Sequence, residues 1–178
     1  MRVFIAVKLD EDIKKAIAGV SSEIKRKSRL GRYADPSNYH ITLEFIGETD
    51  SEGLCKIHEA MDDAASESQP FQVKVEGLGI FGKPESAIVW MGVSSGSSKL
   101  MEINKKLACR LEEAGFKTDG KKFNPHITIG RKVDCGDTFD HIKSGDWIQR
   151  VESIVLMESA RENGKLSYTQ IYESRFEK

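Results

Sequence analysis

At 178 residues, 39% hydrophobic and 31% charged, with a formal net charge of −1, the chain has the make-up of a folded protein and not of a disordered or coiled-coil one. The near-zero charge excludes a surface that coats nucleic acid along its length, so any such contact is confined to a pocket or a local patch. Cys55, Cys109 and Cys135 are odd in number and lack CxxC spacing, and no run approaches the roughly 20 apolar residues of a membrane span; together these predict reduced thiols, no membrane partner and a cytoplasmic location.

Residues Arg2 to Leu9 alternate, with Val3, Ile5, Val7 and Leu9 on one face and Arg2, Phe4, Ala6 and Lys8 on the other, the period of a half-buried strand. Ile13, Ile17, Val20 and Ile24 recur at helical spacing and predict an amphipathic helix from Asp12 to about Ser28. Thr49 and Glu52 have capping-box spacing ahead of a second helix, whose buried stripe is Leu54, Ile57, Met61 and Ala64. Strands follow around Phe71, Val73 and Val75 and around Ala87, Val89, Met91 and Val93, separated by Gly82-Lys83-Pro84. Leu100, Ile103, Leu107 and Leu111 form a third helical stripe, with Gly115 placed to cap it. A strand from Pro125 to about Val133 comes next, then a short irregular or helical stretch. The last element is a hairpin of Val151 to Met157 and Leu166 to Tyr172, turning near Asn163-Gly164. The prediction is an α+β fold rich in antiparallel pairs, residues 1–178 forming one domain of two similar lobes.

The informative feature is an internal echo, His40-Ile41-Thr42-Leu43 and His126-Ile127-Thr128-Ile129. From average residue usage a given His is followed by Ile-Thr-Leu/Ile with odds on the order of 10⁻³, so two accidental hits among four histidines are improbable. On a strand His40 and Thr42 share a face while Ile41, Leu43 and Phe45 anchor the other, and His126 and Thr128 repeat the pattern. Two facing lobes would bring two imidazoles and two hydroxyls to one central cleft, suited to a tetrahedral phosphate. One ring can act as general acid and the other as general base near neutral pH, and the threonines can donate to oxygens where charge builds. No metal or other cofactor is called for. A zinc site would need ligands that neither tetrapeptide carries, Glu44 being the nearest candidate. A strand His held inert in the core is the bland alternative for either motif alone.

Around these motifs the sequence resembles the two-histidine phosphoesterase superfamily, and within it the RNA 2′,3′-cyclic phosphodiesterases of the LigT/ThpR type. The resemblance runs through Arg2-Val-Phe-Ile-Ala-Val7, Asn38-Tyr-His-Ile-Thr-Leu-Glu-Phe-Ile-Gly-Glu48, Gly77-Leu-Gly-Ile-Phe-Gly82, Val89-Trp-Met-Gly92, Phe123-Asn-Pro-His-Ile-Thr-Ile-Gly-Arg131 and the closing hairpin with Glu158 and Tyr168. It implies a bilobal, pseudo-two-fold arrangement of antiparallel sheets flanked by helices, and hydrolysis of RNA 2′,3′-cyclic phosphate ends, tRNA halves among them, to 2′-phosphomonoesters. It implies His40 as proton donor and His126 as proton acceptor, with a weak reverse 2′-5′ RNA ligase activity. Tyr33 departs from the Trp that many relatives carry there, a difference that bears on substrate preference.

Arg131, where the family often has Arg, could bind phosphate, although strict alternation puts it opposite His126 unless a bulge or the strand end turns it inward. Phe4 is either a base-stacking ring or core. Lys25, Arg26, Lys27, Arg29 and Arg32 before the first motif, and Lys117, Lys121 and Lys122 before the second, form either an electropositive rim for RNA or a solvated face. His58 and His141 have no echo, and Trp90 and Trp147 read as core aromatics. The alternatives to an RNA-end enzyme are a cyclic phosphodiesterase on a small nucleotide, such as an ADP-ribose cyclic phosphate, and a non-catalytic RNA- or nucleotide-binding module. Two half-sites within one chain predict a monomer.

Overall fold

The apolar alternation at the N-terminus opens a two-sheet architecture, seen in a computed structural model that describes residues 1–118, 120, 122–136, 142–162 and 164–177. In chain order come β1 (Arg2–Lys8), α1 (Glu11–Lys27), β2 (Arg32–Tyr33), β3 (His40–Glu48), α2 (Ser51–Ser66), β4 (Phe71–Phe81), β5 (Ala87–Val93), α3 (Ser97–Glu113), β6 (His126–Val133), β7 (Asp146–Val151), β8 (Ser153–Glu162) and β9 (Lys165–Arg175). Every pairing among them is antiparallel. One sheet has the order β3-β1-β8-β9 and the other β2-β6-β5-β4-β7. The unit β1-α1-β3 is echoed by β5-α3-β6: a strand, a helix, then an antiparallel neighbour that opens with His. β3 is an edge strand, and it meets β6 of the other sheet.

The three helical stripes are buried as their spacing requires: Ile13, Ile17, Val20 and Ile24 on α1, Ile57, Met61 and Ala64 on α2, and Leu100, Ile103, Leu107 and Leu111 on α3. Leu54 is only partly buried, and the α2 cap is Asp50, one residue beyond the expected Thr49, its carboxylate accepting from the Gly53 amide at 2.9 Å. Gly115 ends α3 as expected. Its φ of 92° lets its amide reach Glu112 O (3.0 Å) and the Phe116 amide reach Leu111 O (2.9 Å), a Schellman closure.

Two elements differ from expectation. β1 is not half-buried: it lies between β3 and β8, and its second face packs Phe4 and Ala6 against Val155, Met157 and Tyr168. The strand expected over Val151 to Met157 is two strands, because the chain leaves one sheet after Val151 and enters the other at Ser153. β7 hides in the sequence because its outward residue is Ile148 (62% exposed) and an inward one is Gln149 (5% exposed). The buried amide of Gln149 is satisfied by bridging the end of β1, donating to Lys8 O at 2.7 Å and accepting from the Asp10 amide at 3.1 Å. Asn163 of the expected turn and His141 lie outside the described residues.

Gly96 tests the join between β5 and α3. It caps α3 with φ of 78°, and a Cβ there would fall on the Gln72 carbonyl oxygen and within 2.9 Å of Val73 Cγ1. Gly96→Ala therefore combines left-handed strain with a backbone clash, and is expected to cost at least about 1–3 kcal/mol in urea unfolding. An unchanged midpoint would mean that the Gln72–Gly96 approach is not held in solution.

Candidate active site

Both motifs are positioned by their strands in the same way. Ile41, Leu43, Ile127 and Ile129 are buried, and His40, Thr42, His126 and Thr128 are half-buried on the opposite side. Each imidazole holds the backbone two residues before it, His40 Nδ1 to Asn38 O and His126 Nδ1 to Asn124 O, both at 2.7 Å. A carbonyl only accepts, so the proton of each neutral ring sits on Nδ1 and leaves Nε2 to act. His40 Nε2 lies 2.8 Å from Thr42 Oγ1. The two asparagines are part of the echo, Asn38-x-His40 and Asn124-x-His126, a repeat whose task only these hydrogen bonds reveal.

Aromatic rings wall each imidazole. His40 has Phe4 at 4.8 Å and Tyr168 at 5.2 Å, the latter edge-on at 85°; His126 has Phe81 at 5.0 Å, edge-on at 87°, and Trp90 at 6.1 Å. Trp90 therefore belongs to the site's wall, a role its sequence position does not suggest. Phe4 does not fit a base-stacking role: it is 3% exposed, closed in by His40, Phe45 and Tyr168. Trp147 packs against the core as expected, and His58 stacks on Tyr172 at 3.8 Å where α2 meets β9.

Arg131 enters through a feature that alternation alone conceals. β3 carries one residue too many opposite Ile5 and Ala6, and β6 one too many opposite Val89 and Trp90, so Leu43 and Ile129 are bulged. Each bulged carbonyl is satisfied, Leu43 O by Asn104 Nδ2 at 2.8 Å and Ile129 O by the Ala34 amide at 3.0 Å. The alternation is rephased by one position, which turns out Phe45 (59% exposed) on one strand and exposed Arg131 on the other. Glu44, the residue nearest to a metal-ligand candidate, is instead buried, with Asn104 Nδ2 3.2 Å from its Oε2.

Burial pushes the His40 imidazole below its ordinary value of 6.5, the Asn38 carbonyl opposes this, and the neighbouring His126, Arg131 and Lys14 add to the depression. His126 is lowered by burial first and by Arg131, against the Asn124 carbonyl. Arg131 thus acts on both rings, and Lys14, unremarkable in the sequence, acts on one. Of the candidate basic rim, Lys25, Arg26 and Lys27 occupy the last turn of α1, where the helix dipole favours them, and Lys27 pairs with Glu23 at 3.2 Å. Arg32 lies on β2 opposite Arg131, Lys122 is exposed, and Lys121 is outside the described residues. Tyr33 is half-buried beside Gly130 with its hydroxyl 2.6 Å from Ser28 Oγ.

Paired antiparallel sheets, each presenting one bulged His-x-Thr strand to the other, define the two-histidine class of α+β protein. The chain belongs to the 2′-5′ RNA ligase superfamily, whose family model matches residues 10–161. It is 35% identical over 132 residues to an RNA 2′,3′-cyclic phosphodiesterase of Archaeoglobus fulgidus, covering 74% of this chain and 72% of that protein. It is 32% identical over 132 residues to the protein of the same name from Thermotoga maritima, covering 74% and 70%. In fold it is similar to E. coli LigT complexed with 3′-AMP, with a TM-score of 0.85 at 22% identity over 99% of this chain and 98% of that one.

Proposed function

We propose that this protein hydrolyses 2′,3′-cyclic phosphate ends of RNA to 2′-phosphomonoesters, with His40 as general acid and His126 as general base. The observation that carries the reading is the pair of Nδ1-anchored imidazoles, each with a threonine hydroxyl on the same strand face and with Arg131 acting on both. Cyclic phosphodiesterase activity is also what the names of the curated relatives support. A water attacks phosphorus in line with the departing O3′ and gives its proton to His126 Nε2. The P–O3′ bond breaks, and O3′ takes the proton of His40 Nε2. Thr42, Thr128 and Arg131 donate to the non-bridging oxygens as charge builds there. An RNA 5′-hydroxyl attacking in place of water would leave phosphorus bridging O2′ and O5′, so any 2′-5′ ligation draws on the same two histidines.

Phosphorus NMR of the protein with an oligonucleotide bearing a 2′,3′-cyclic phosphate, in excess EDTA near neutral pH, tests this directly. A 2′-phosphomonoester is expected. An unchanged cyclic end would overturn the proposal, and turnover confined to a small cyclic nucleotide would move the substrate class.

The depressed imidazoles set a pH dependence. In the free protein His40 must be protonated and His126 neutral, and both titrate below 6.5. Raising the pH through that range empties His40 of its proton while His126 stays competent, so kcat/KM is expected to fall on the alkaline side from below neutrality. A bound phosphate anion beside His40 favours the imidazolium, so the alkaline limb of kcat should lie at higher pH than that of kcat/KM. Coincident limbs would contradict this.

A further inference from the structure

The face of the four-stranded sheet that carries His40 extends well beyond the catalytic pair. Register places Val3 opposite Glu158 and Phe4 opposite Met157, and Ser159 opposite Tyr168 and Arg161 opposite Leu166. Side chains alternate on each strand, so Arg2 and Phe4 of β1, Met157, Ser159 and Arg161 of β8, and Tyr168 of β9 share one face. The packing of Phe4 with Met157 and Tyr168 fixes which face this is, and the ring contacts of Phe4 and Tyr168 with His40 make it the cleft side. Arg2, Ser159 and Tyr168 form one cross-strand row, with exposed Arg161 a step beyond. Arg2 is exposed and close enough to pull the Tyr168 phenol down against the burial that raises it.

We infer that this row, Arg2 with Ser159 and Arg161, is the track for the RNA strand on the 5′ side of the cyclic end, gripping its phosphodiesters next to the terminal nucleotide. The inference rests on the proposed cyclic-phosphate chemistry and adds the discrimination of an oligonucleotide from a mononucleotide. Spacing, donor chemistry and charge each support it. Arg2 lies two residues, about 7 Å of strand, past Phe4, the ring that backs His40, which is roughly one nucleotide step from the reacting phosphate. Two guanidiniums beside a serine hydroxyl are the donors a chain of phosphodiesters takes. The chain's near-neutral charge makes a local cationic strip the means by which it would hold RNA.

The test compares kcat/KM for a short RNA ending in a 2′,3′-cyclic phosphate with that for a nucleoside 2′,3′-cyclic monophosphate, in the wild-type protein and in Arg2→Ala, Arg161→Ala and the double variant. Each single change is expected to lower the RNA value roughly tenfold and leave the mononucleotide value unchanged. The slope of log(kcat/KM) for RNA against log salt should become shallower by about 0.7 for each phosphate no longer neutralised. Equal losses on both substrates, or an unaltered RNA value and salt slope, would overturn the track. A wild-type protein that opens neither substrate would instead overturn the cyclic-phosphate chemistry itself.

Discussion

Replacing His40 or His126 by alanine is expected to lower turnover of a 2′,3′-cyclic phosphate by about 10²–10⁴-fold while the protein stays folded. Both rings are half-buried at the strand openings, outside the buried set of Ile41, Leu43, Ile127 and Ile129 that holds β3 and β6, so their removal leaves the core intact. The two variants should separate when the leaving group is changed. A p-nitrophenyl ester departs without needing a proton, so the loss in His40→Ala should shrink on such a substrate, while the loss in His126→Ala, which must still activate water, should persist. Near-wild-type turnover in either variant would sink the acid–base pair. A reversed pattern on the activated ester would exchange the two roles.

Arg131→Ala is expected to lower kcat/KM by roughly 10–100-fold, the scale of a charge-assisted bond to an anionic group. The variant should also show a titration change that mere loss of packing would not give. Arg131 depresses both His40 and His126, so its removal should let both rise toward their ordinary value and carry the alkaline limb of kcat/KM to higher pH. Arg131→Lys keeps the charge and should retain most of that limb's position while losing the planar fork. An Arg131→Ala profile superimposable on the wild type, with normal kcat/KM, would remove Arg131 from the site.

The helices are legible in the sequence because each has a continuous apolar stripe at helical spacing, and the catalytic pair is legible because its tetrapeptide occurs twice. What escapes depends on partners distant in sequence. The bulges at Leu43 and Ile129 exist only relative to the register of β1 and β5, so alternation within β6 alone puts Arg131 on the wrong side. Tyr168 reaches His40 from the far end of the chain, and nothing local to either residue announces their meeting. β7 is hidden because Gln149 is buried for its two backbone hydrogen bonds and Ile148 is exposed, an inversion of the usual hydropathy rule. Phe4 fits either reading until the neighbouring strands close over it.

The paired bulges carry a consequence for the handedness of the reaction. A duplicated scaffold whose two arms were alike would accept a cyclic phosphate in either of two orientations, and half of all encounters would present the wrong ester oxygen to the acid. The extra residue in each arm leaves His and Thr untouched and turns out whatever follows, an aromatic ring at Phe45 and a cation at Arg131. On the proposed chemistry the choice between 2′ and 3′ products is therefore written at these two positions, where the arms have diverged, and not in the histidines they share.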